Sequence, residues 1–397
     1  MSTVWLKPGR ETAVSKGHPW IFSGAIERIE PTTQDIPPGE TVDVLDWEGN
    51  FLMRGAYSPS SQIRIRKWTT NPDETIDRDF FSRKLQRALQ LRIDLSQLLM
   101  TNAMRLVHAE SDGLPGLIVD RYGDTLVLQC LTAGIERWRS TIFELLVELT
   151  ECARIYERSD ADVRKLEGLG ERVGRIYGDE PPELILIEDK GVKFAVDVRR
   201  GQKTGFYLDQ RANRHFVSEI TKNKKVLDCF SYTGGFTIFS LLGGAEEVIA
   251  IDSSSSALEL ARRNLALNSF DGKKVKLIVG DVFRLLREYR DRGEEFDVII
   301  LDPPKFAPTI AQAQRATRAY KDINLLAFKL LRADGLLITF SCSGGIREEL
   351  FQKVVAGAAE DAAVEGRILS RLHQSADHPV ALNFPEGAYV KGFLIAK

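Results

Sequence analysis

Two apolar runs in the chain each stop at a side chain capable of chemistry. Phe296 to Asp302 leads into Asp302-Pro303-Pro304-Lys305-Phe306, and Leu336 to Cys342 leads into Cys342-Ser343-Gly344-Gly345. In an open α/β sheet the ends of neighbouring strands face one crevice, so this carboxylate and this thiol would meet the same ligand. A nucleophile beside a proton-handling acid suits work on a flat heterocycle such as a nucleobase. The remaining cysteines, Cys130, Cys152 and Cys229, show no CxxC spacing and are too scattered for a disulfide framework or a zinc site. Four free thiols and no metal are expected.

The elements that would position the pair follow Lys224, where the chain repeats strand, glycine turn and helix. Lys225 to Asp228, Val248 to Asp252, Val275 to Val279, Phe296 to Asp302 and Leu336 to Cys342 read as strands, and Tyr389 to Ala396 as a terminal one. Alternation of this kind predicts an α/β fold with a doubly wound, mostly parallel sheet. In Val226-Leu227-Asp228-Cys229-Phe230-Ser231-Tyr232-Thr233-Gly234-Gly235-Phe236 a buried strand enters a glycine turn and a helix start, where backbone can approach a ligand closely. The turn lacks both the GxGxxG spacing of a dinucleotide site and the GK[ST] of a triphosphate site. Asp252 ends the next strand, placed to accept from ribose hydroxyls, and Asp281 follows the third, placed to accept from an adenine amine. Successive strand-end acids without a pyrophosphate loop match S-adenosylmethionine better than NAD. The plainer reading of Asp252 and Asp281 is that they cap the helices that follow.

Upstream, Thr41 to Leu45, Phe51 to Tyr57 and Gln62 to Trp68 form a small β-rich module punctuated by turns, and a helix runs from Asp77 to about Leu99. Leu117 to Asp120 and Thr125 to Leu131 read as a β-hairpin, Arg137 to Ile155 as a helix, and Asp179 to Glu183 as a bend. Three domains are expected: a β-rich one over 1–72, a central α+β one over 73–186, and the doubly wound one over 187–397. With 397 residues, 43% hydrophobic and 28% charged, the composition is that of a globular protein with a sizeable core. The absence of any run of eighteen apolar residues predicts a cytoplasmic protein without membrane contact.

Gly201-Gln202-Lys203-Thr204-Gly205-Phe206-Tyr207-Leu208-Asp209-Gln210-Arg211, the Cys229 to Phe236 loop, Asp302 to Phe306 and Ser341-Cys342-Ser343 together resemble the bacterial large-subunit ribosomal RNA cytosine-5 methyltransferases that carry an N-terminal PUA domain. Gly9-Arg10 and His18 to Gly24 resemble the opening of that PUA module, and Tyr156 to Asp160 the family's central domain. The resemblance implies a class I methyltransferase fold, S-adenosylmethionine as donor and a cytosine of 23S rRNA as substrate. By position it implies that Tyr207, Asp209 and Arg211 border the cofactor and that Asp228, Phe230, Ser231 and Gly234 hold its methionine end. It further implies Asp252 at the ribose, Asp281 at the adenine, Asp302 at the edge shared by cofactor and base, and Cys342 as the nucleophile. In the two-cysteine kind of cytosine-5 enzyme a second cysteine sits in the Pro-Pro loop; here Lys305 follows Pro304. An Asp-Pro-Pro loop is also how amino methyltransferases grip a purine amine, so methylation of a base nitrogen in rRNA is the alternative.

A net charge of -2 excludes an indiscriminate polyanion binder, so an RNA surface must be local. Between Lys190 and Arg214 seven basic residues, among them Arg199, Arg200, Lys203 and Arg214, stand against Asp197 and Asp209. With Lys305, and with Arg64 and Arg66 at the end of the β-rich module, they are the expected phosphate contacts. Arg315, Arg318 and Lys321 could extend that track. His18 and Trp20 either stack on RNA or pack the module. Extracting a base costs least from an open strand, so naked or immature 23S rRNA is the expected partner. Nothing in the sequence opposes a homodimer.

Overall fold

The computed structural model describes residues 2–31, 35–270, 272–306 and 313–397. The chain divides into two compact units: one comprises 1–191, 196–208 and 376–387, the other 192–195, 209–375 and 388–397.

In the first unit a six-stranded sheet runs in the order Trp20–Phe22, Ile63–Thr69, Phe51–Tyr57, Thr41–Leu45, Ser2–Leu6, Ile26–Glu30. Its inward positions, Val4, Leu6, Ile21, Val42, Val44, Met53 and Ile65, form a small core of their own. A five-stranded sheet, ordered Arg172–Tyr177, Arg154–Ser159, Thr125–Cys130, Leu117–Tyr122, Ala103–His108, packs beneath the helix Arg78–Leu99. That helix begins where Asp77 accepts from the Phe80 N–H at 2.9 Å, the cap its sequence promises. Gly134 marks the close approach of the helix Ala133–Arg137 to the first sheet, since a Cβ there would lie 2.5 Å from the Ala56 methyl. The expected helix from Arg137 to Ile155 is shorter than its periodicity suggested. It ends at Thr150 with Glu151 left-handed, and Ile155 enters the strand Arg154–Ser159, parallel to Thr125–Cys130.

The second unit carries the doubly wound sheet, whose strands are β1 (Lys225–Cys229), β2 (Glu247–Asp252), β3 (Val275–Val279), β4 (Phe296–Leu301), β5 (Leu331–Ser341), β6 (Arg367–Leu372) and β7 (Lys391–Ala396). Their order is 3-2-1-4-5-7-6, with β7 antiparallel to both neighbours. The terminal strand therefore lies between β5 and β6 rather than at the edge. β6 escaped the sequence reading because Arg367-Ile368-Leu369-Ser370-Arg371-Leu372 lacks a clean alternation of apolar and polar residues, in keeping with its mostly exposed edge position. The central strand β4 reads as nearly continuous apolar sequence because helices cover both faces of a parallel sheet. Its core partners include Ala316, Tyr320, Ile323 and Ala327 of the helix Ala313–Leu330, with Phe351 and Val355 of Glu348–Asp361. No helix among the described residues is long and apolar enough to cross a membrane.

Candidate active site

Register fixes where the reactive groups emerge. Cys229 pairs with Ile251 and with Leu301, and Leu301 with Thr339, so β1, β2, β4 and β5 end at one level of the sheet. Because β1 is flanked by β2 on one side and β4 on the other, their connections diverge and open a crevice at the carboxyl ends.

On the β1 side, Asp228 is fully buried, and its Oδ2 accepts from the Thr237 hydroxyl at 2.6 Å. Burial, reinforced by the charges of Asp302 and Asp252, pushes its pKa up to about 7 against the pull of the Thr237 hydrogen bond. The other oxygen, Oδ1, and the hydroxyls of Ser231 and Thr233 are buried without hydrogen-bond partners among the described residues. Buried polar atoms are normally satisfied, so three orphans around one loop mark a place for a polar, cationic ligand group. The loop itself is strained at Phe230 and Tyr232, whose φ values are 62° and 48°, while Gly234 takes its φ of 82° without steric cost. Gly234 opens the helix Gly235–Leu242, and a Cβ on it would stand 3.2 Å from that of Ala261.

Next in the sheet, Asp252 accepts from the N–H groups of Tyr232 at 2.9 Å and Ser254 at 2.8 Å, which ties the glycine loop to β2. The helix that follows is capped by Ser254, not by Asp252. Asp281, exposed after β3, does cap its helix, accepting from the Arg284 N–H at 2.8 Å. The donor set fits S-adenosylmethionine: an acid and hydroxyls at the glycine loop for an amino-acid end, and two further carboxylates along the strand ends for a nucleoside.

Across the crevice, Asp302 Oδ2 accepts from Gln210 Nε2 at 3.1 Å, and Gln210 is held in turn by Asn213 at 2.6 Å. Pro303 is buried, Pro304 and Lys305 are exposed, and Phe306 packs on Tyr320 with ring centroids 4.8 Å apart. Cys342 is half-buried, and its thiol points to the Pro303 carbonyl at 3.9 Å. The Asp-Pro-Pro loop and the cysteine loop thus meet at the reactive atom itself. Beneath them the Tyr320 hydroxyl bonds both Ser341 Oγ and Ser343 Oγ at 3.0 Å, which fixes the loop on either side of Cys342. Sequence offered no signal for Tyr320, an interior helical residue among apolar neighbours.

The other expected residues are distributed as follows. Asp209 is buried, its Oδ2 accepting from the Tyr389 hydroxyl at 2.6 Å and its carbonyl from the Ser375 N–H at 2.8 Å. Arg211 and Arg214, in the helix Arg211–Ile220, are both 2% exposed. Tyr207 lies in the 196–208 segment of the first unit, where Lys203 Nζ stands over its ring at 4.2 Å. That segment is anchored by Thr204, which donates to Asp120 Oδ2 at 2.6 Å. Arg199 and Arg200 are exposed, and Arg199 lies 3.5 Å from Glu180. Two phosphate contacts need correction. Arg66 is buried and paired to Glu167 at 2.8 Å, and buried Arg214 likewise has no solvent face for a phosphate. Arg64 is half-buried over the Ser58 and Pro59 carbonyls. Arg315 and Arg318 are exposed, whereas Lys321 pairs with Asp361 at 2.8 Å. His18 and Trp20 pack the module: Trp20 donates to Glu110 at 2.9 Å and its ring meets Phe384 edge-on at 4.8 Å.

Residues 171–378 match the family described as S-adenosylmethionine-dependent methyltransferase, and residues 4–70 match a PUA-like domain. The chain is 53% identical over 395 residues, 99% of each protein, to Ribosomal RNA large subunit methyltransferase I of Tolumonas auensis. This chain belongs to the S-adenosylmethionine-dependent methyltransferases. A protein of the same name from Aeromonas salmonicida is 52% identical, over 99% of this chain and 98% of the relative. Among solved structures, a chain from Streptococcus mutans described as a SAM-dependent methyltransferase superposes with a TM-score of 0.87 over 100% of both chains, at 21% identity. The fold is thus class I methyltransferase with an N-terminal PUA-like domain, and the donor is S-adenosylmethionine.

The orphaned Asp228 oxygen has a measurable consequence. A carboxyl whose folded pKa is raised keeps its proton while the unfolded chain ionises, so the ligand-free protein should lose stability as pH climbs from about 4 to 7. An Asp228→Asn variant removes that penalty, worth at most about 4 kcal/mol. Its Tm should match the parent near pH 4 and exceed it at pH 8, while cofactor binding is lost. Equal melting curves at both pH values would show that Asp228 is not held protonated.

Proposed function

We propose that the protein methylates carbon 5 of a cytosine in 23S rRNA through a covalent adduct between Cys342 and carbon 6. The observation that carries this reading is the meeting of the Cys342 thiol with the Pro303 carbonyl, which brings a nucleophile to the loop that would grip the base. Carbon 5 of cytosine is a weak nucleophile, and the proposed steps overcome that in turn. The Cys342 thiolate donates an electron pair to carbon 6; the carbon 5–carbon 6 π pair shifts toward carbon 5, and a proton passes to N3 by way of Asp302. S-adenosylmethionine, when bound, supplies a sulfonium methyl that accepts the carbon 5 pair as the methyl–sulfur bond breaks. A base then removes the carbon 5 proton, the double bond re-forms as Cys342 leaves as thiolate, and the N3 proton returns by way of Asp302.

In this reading Asp228, Phe230, Ser231 and Gly234 hold the amino-acid end of the donor, Asp252 its ribose and Asp281 its adenine. Asp209 and Arg211 border it from buried positions in the same unit. The exposed residues Arg199, Arg200 and Lys305, with half-buried Lys203 and Arg64, contribute salt-dependent phosphate contacts to naked or immature rRNA in the cytoplasm. The relatives' name and the PUA-like domain support an rRNA substrate. Bisulfite sequencing of 23S rRNA from a deletion strain and its complemented parent tests base, atom and position together. One protected cytosine that disappears with the gene is the expected outcome. A labelled methyl recovered on a purine nitrogen after nucleoside digestion would replace the reading with amine methylation.

A further inference from the structure

Lys391 is the first residue of β7, in what sequence alone reads as an ordinary terminal strand. It pairs directly with Ser341 across the antiparallel ladder, is 6% exposed, and donates from Nζ to the Ser343 carbonyl at 2.9 Å. Its ammonium therefore sits against the Ser341-Cys342-Ser343 loop, which the Tyr320 hydroxyl also holds through the side chains of Ser341 and Ser343. A buried lysine is costly unless something compensates the charge, and one carbonyl satisfies only one of its three protons.

Three ionisable groups act on it. Cys342 at the end of β5 and Glu348 at the start of the helix Glu348–Asp361 favour its charged form, while Lys305 of the Asp-Pro-Pro loop opposes it. Glu348 is engaged by Arg371. Burial brings the lysine pKa down to about 8, so it still carries its charge at neutral pH. That leaves the sulfur of Cys342 as the site where a negative charge would gain most.

We infer that Lys391 is a positioning residue whose ammonium, pinned to the Ser343 carbonyl, holds Cys342 as the thiolate that adds to the base. The inference rests on the reading of Cys342 as nucleophile, and it supplies the activation that a free thiol at neutral pH lacks. No proton has to move between the two groups: the lysine stays an ammonium while the sulfur adds to carbon 6 and when it is later expelled.

The test is the pH dependence of Cys342 alkylation by iodoacetamide in the full-length protein, read by peptide mass. Cys130, Cys152 and Cys229 are buried and serve as internal controls. In Lys391→Met the alkylation midpoint should rise by about one pH unit and the rate at pH 7 should fall about tenfold. Lys391→Arg, which keeps the charge, should stay near the parent. An unchanged midpoint in Lys391→Met, or a rise in Lys391→Arg as large as in Lys391→Met, would overturn the inference. If Lys391→Met does not fold, Lys391→Gln, which keeps a donor for Ser343, is judged by the same midpoint. Alkylation needs no RNA, so it is separable from the nucleophile reading, which fails instead if the parent protein forms no covalent complex with 5-azacytidine-substituted rRNA.

Discussion

Cys342→Ala is expected to lower methyl transfer to rRNA by at least about a thousandfold and to abolish covalent capture on 5-azacytidine-substituted rRNA. The size follows from the chemistry: without addition at carbon 6, carbon 5 has no usable electron pair, and no neighbouring group substitutes for the missing bond. The loss should be confined to the chemical step. Cys342 is half-buried and its thiol lies at a long 3.9 Å from the Pro303 carbonyl, so the alanine variant should keep its melting temperature within a degree or two. Cofactor affinity, set on the β1 side of the crevice, should stay within about twofold. Equilibrium binding of S-adenosylmethionine and single-turnover transfer measure these two quantities separately. A variant that transfers methyl at the parental rate would remove Cys342 from the reaction and leave the Asp302 loop as the gripping element of an amine methyltransferase.

Asp302→Asn should cost about 10²–10⁴ in the single-turnover rate. The amide keeps the shape and can still meet Gln210, whose Nε2 lies 3.1 Å from the present carboxylate, so the loop has no reason to move. What disappears is the capacity to relay a proton from solvent to N3 as the thiolate adds. Capture on 5-azacytidine RNA should slow along with turnover, because adduct formation is the step that needs the proton. The variant should also relieve Asp228 of one of the charges that raise its pKa, so the pH at which Asp228 ionises should fall. An Asp302→Asn protein that is fully active would mean that N3 takes its proton from elsewhere.

The doubly wound half was the most legible part of the chain, because burial on both sides of a parallel sheet leaves uninterrupted apolar runs such as Phe296 to Leu301. The runs locate strands but not their order, and nothing in Lys391 to Ala396 says that this strand lies between β5 and β6. Order is what makes Lys391 a neighbour of Cys342; a lysine opening an apolar strand looks, in sequence, like an edge residue in water. Charge counting failed for the same reason at Arg66 and Arg214, since a sum of basic residues cannot tell a phosphate contact from a guanidinium buried against its own protein. For Asp281 the plainer of the two sequence readings holds: it caps the helix that follows, accepting from the Arg284 N–H at 2.8 Å. The helix expected from Arg137 to Ile155 ends at Thr150, because Glu151 turns left-handed and the apolar Ile155 belongs to the next strand.

The distribution of the four thiols fixes how the protein would meet oxidants. Cys130, Cys152 and Cys229 are buried, and burial raises their pKa values, so they resist peroxide; Cys342, half-exposed beside an ammonium, is the one that would become a sulfenic acid. None of the other three reaches solvent to close a disulfide on it. Oxidation would therefore stop at a species that only an external thiol, such as glutathione, can intercept before the irreversible sulfinic stage, and loss of activity under peroxide should be reversible early and permanent late.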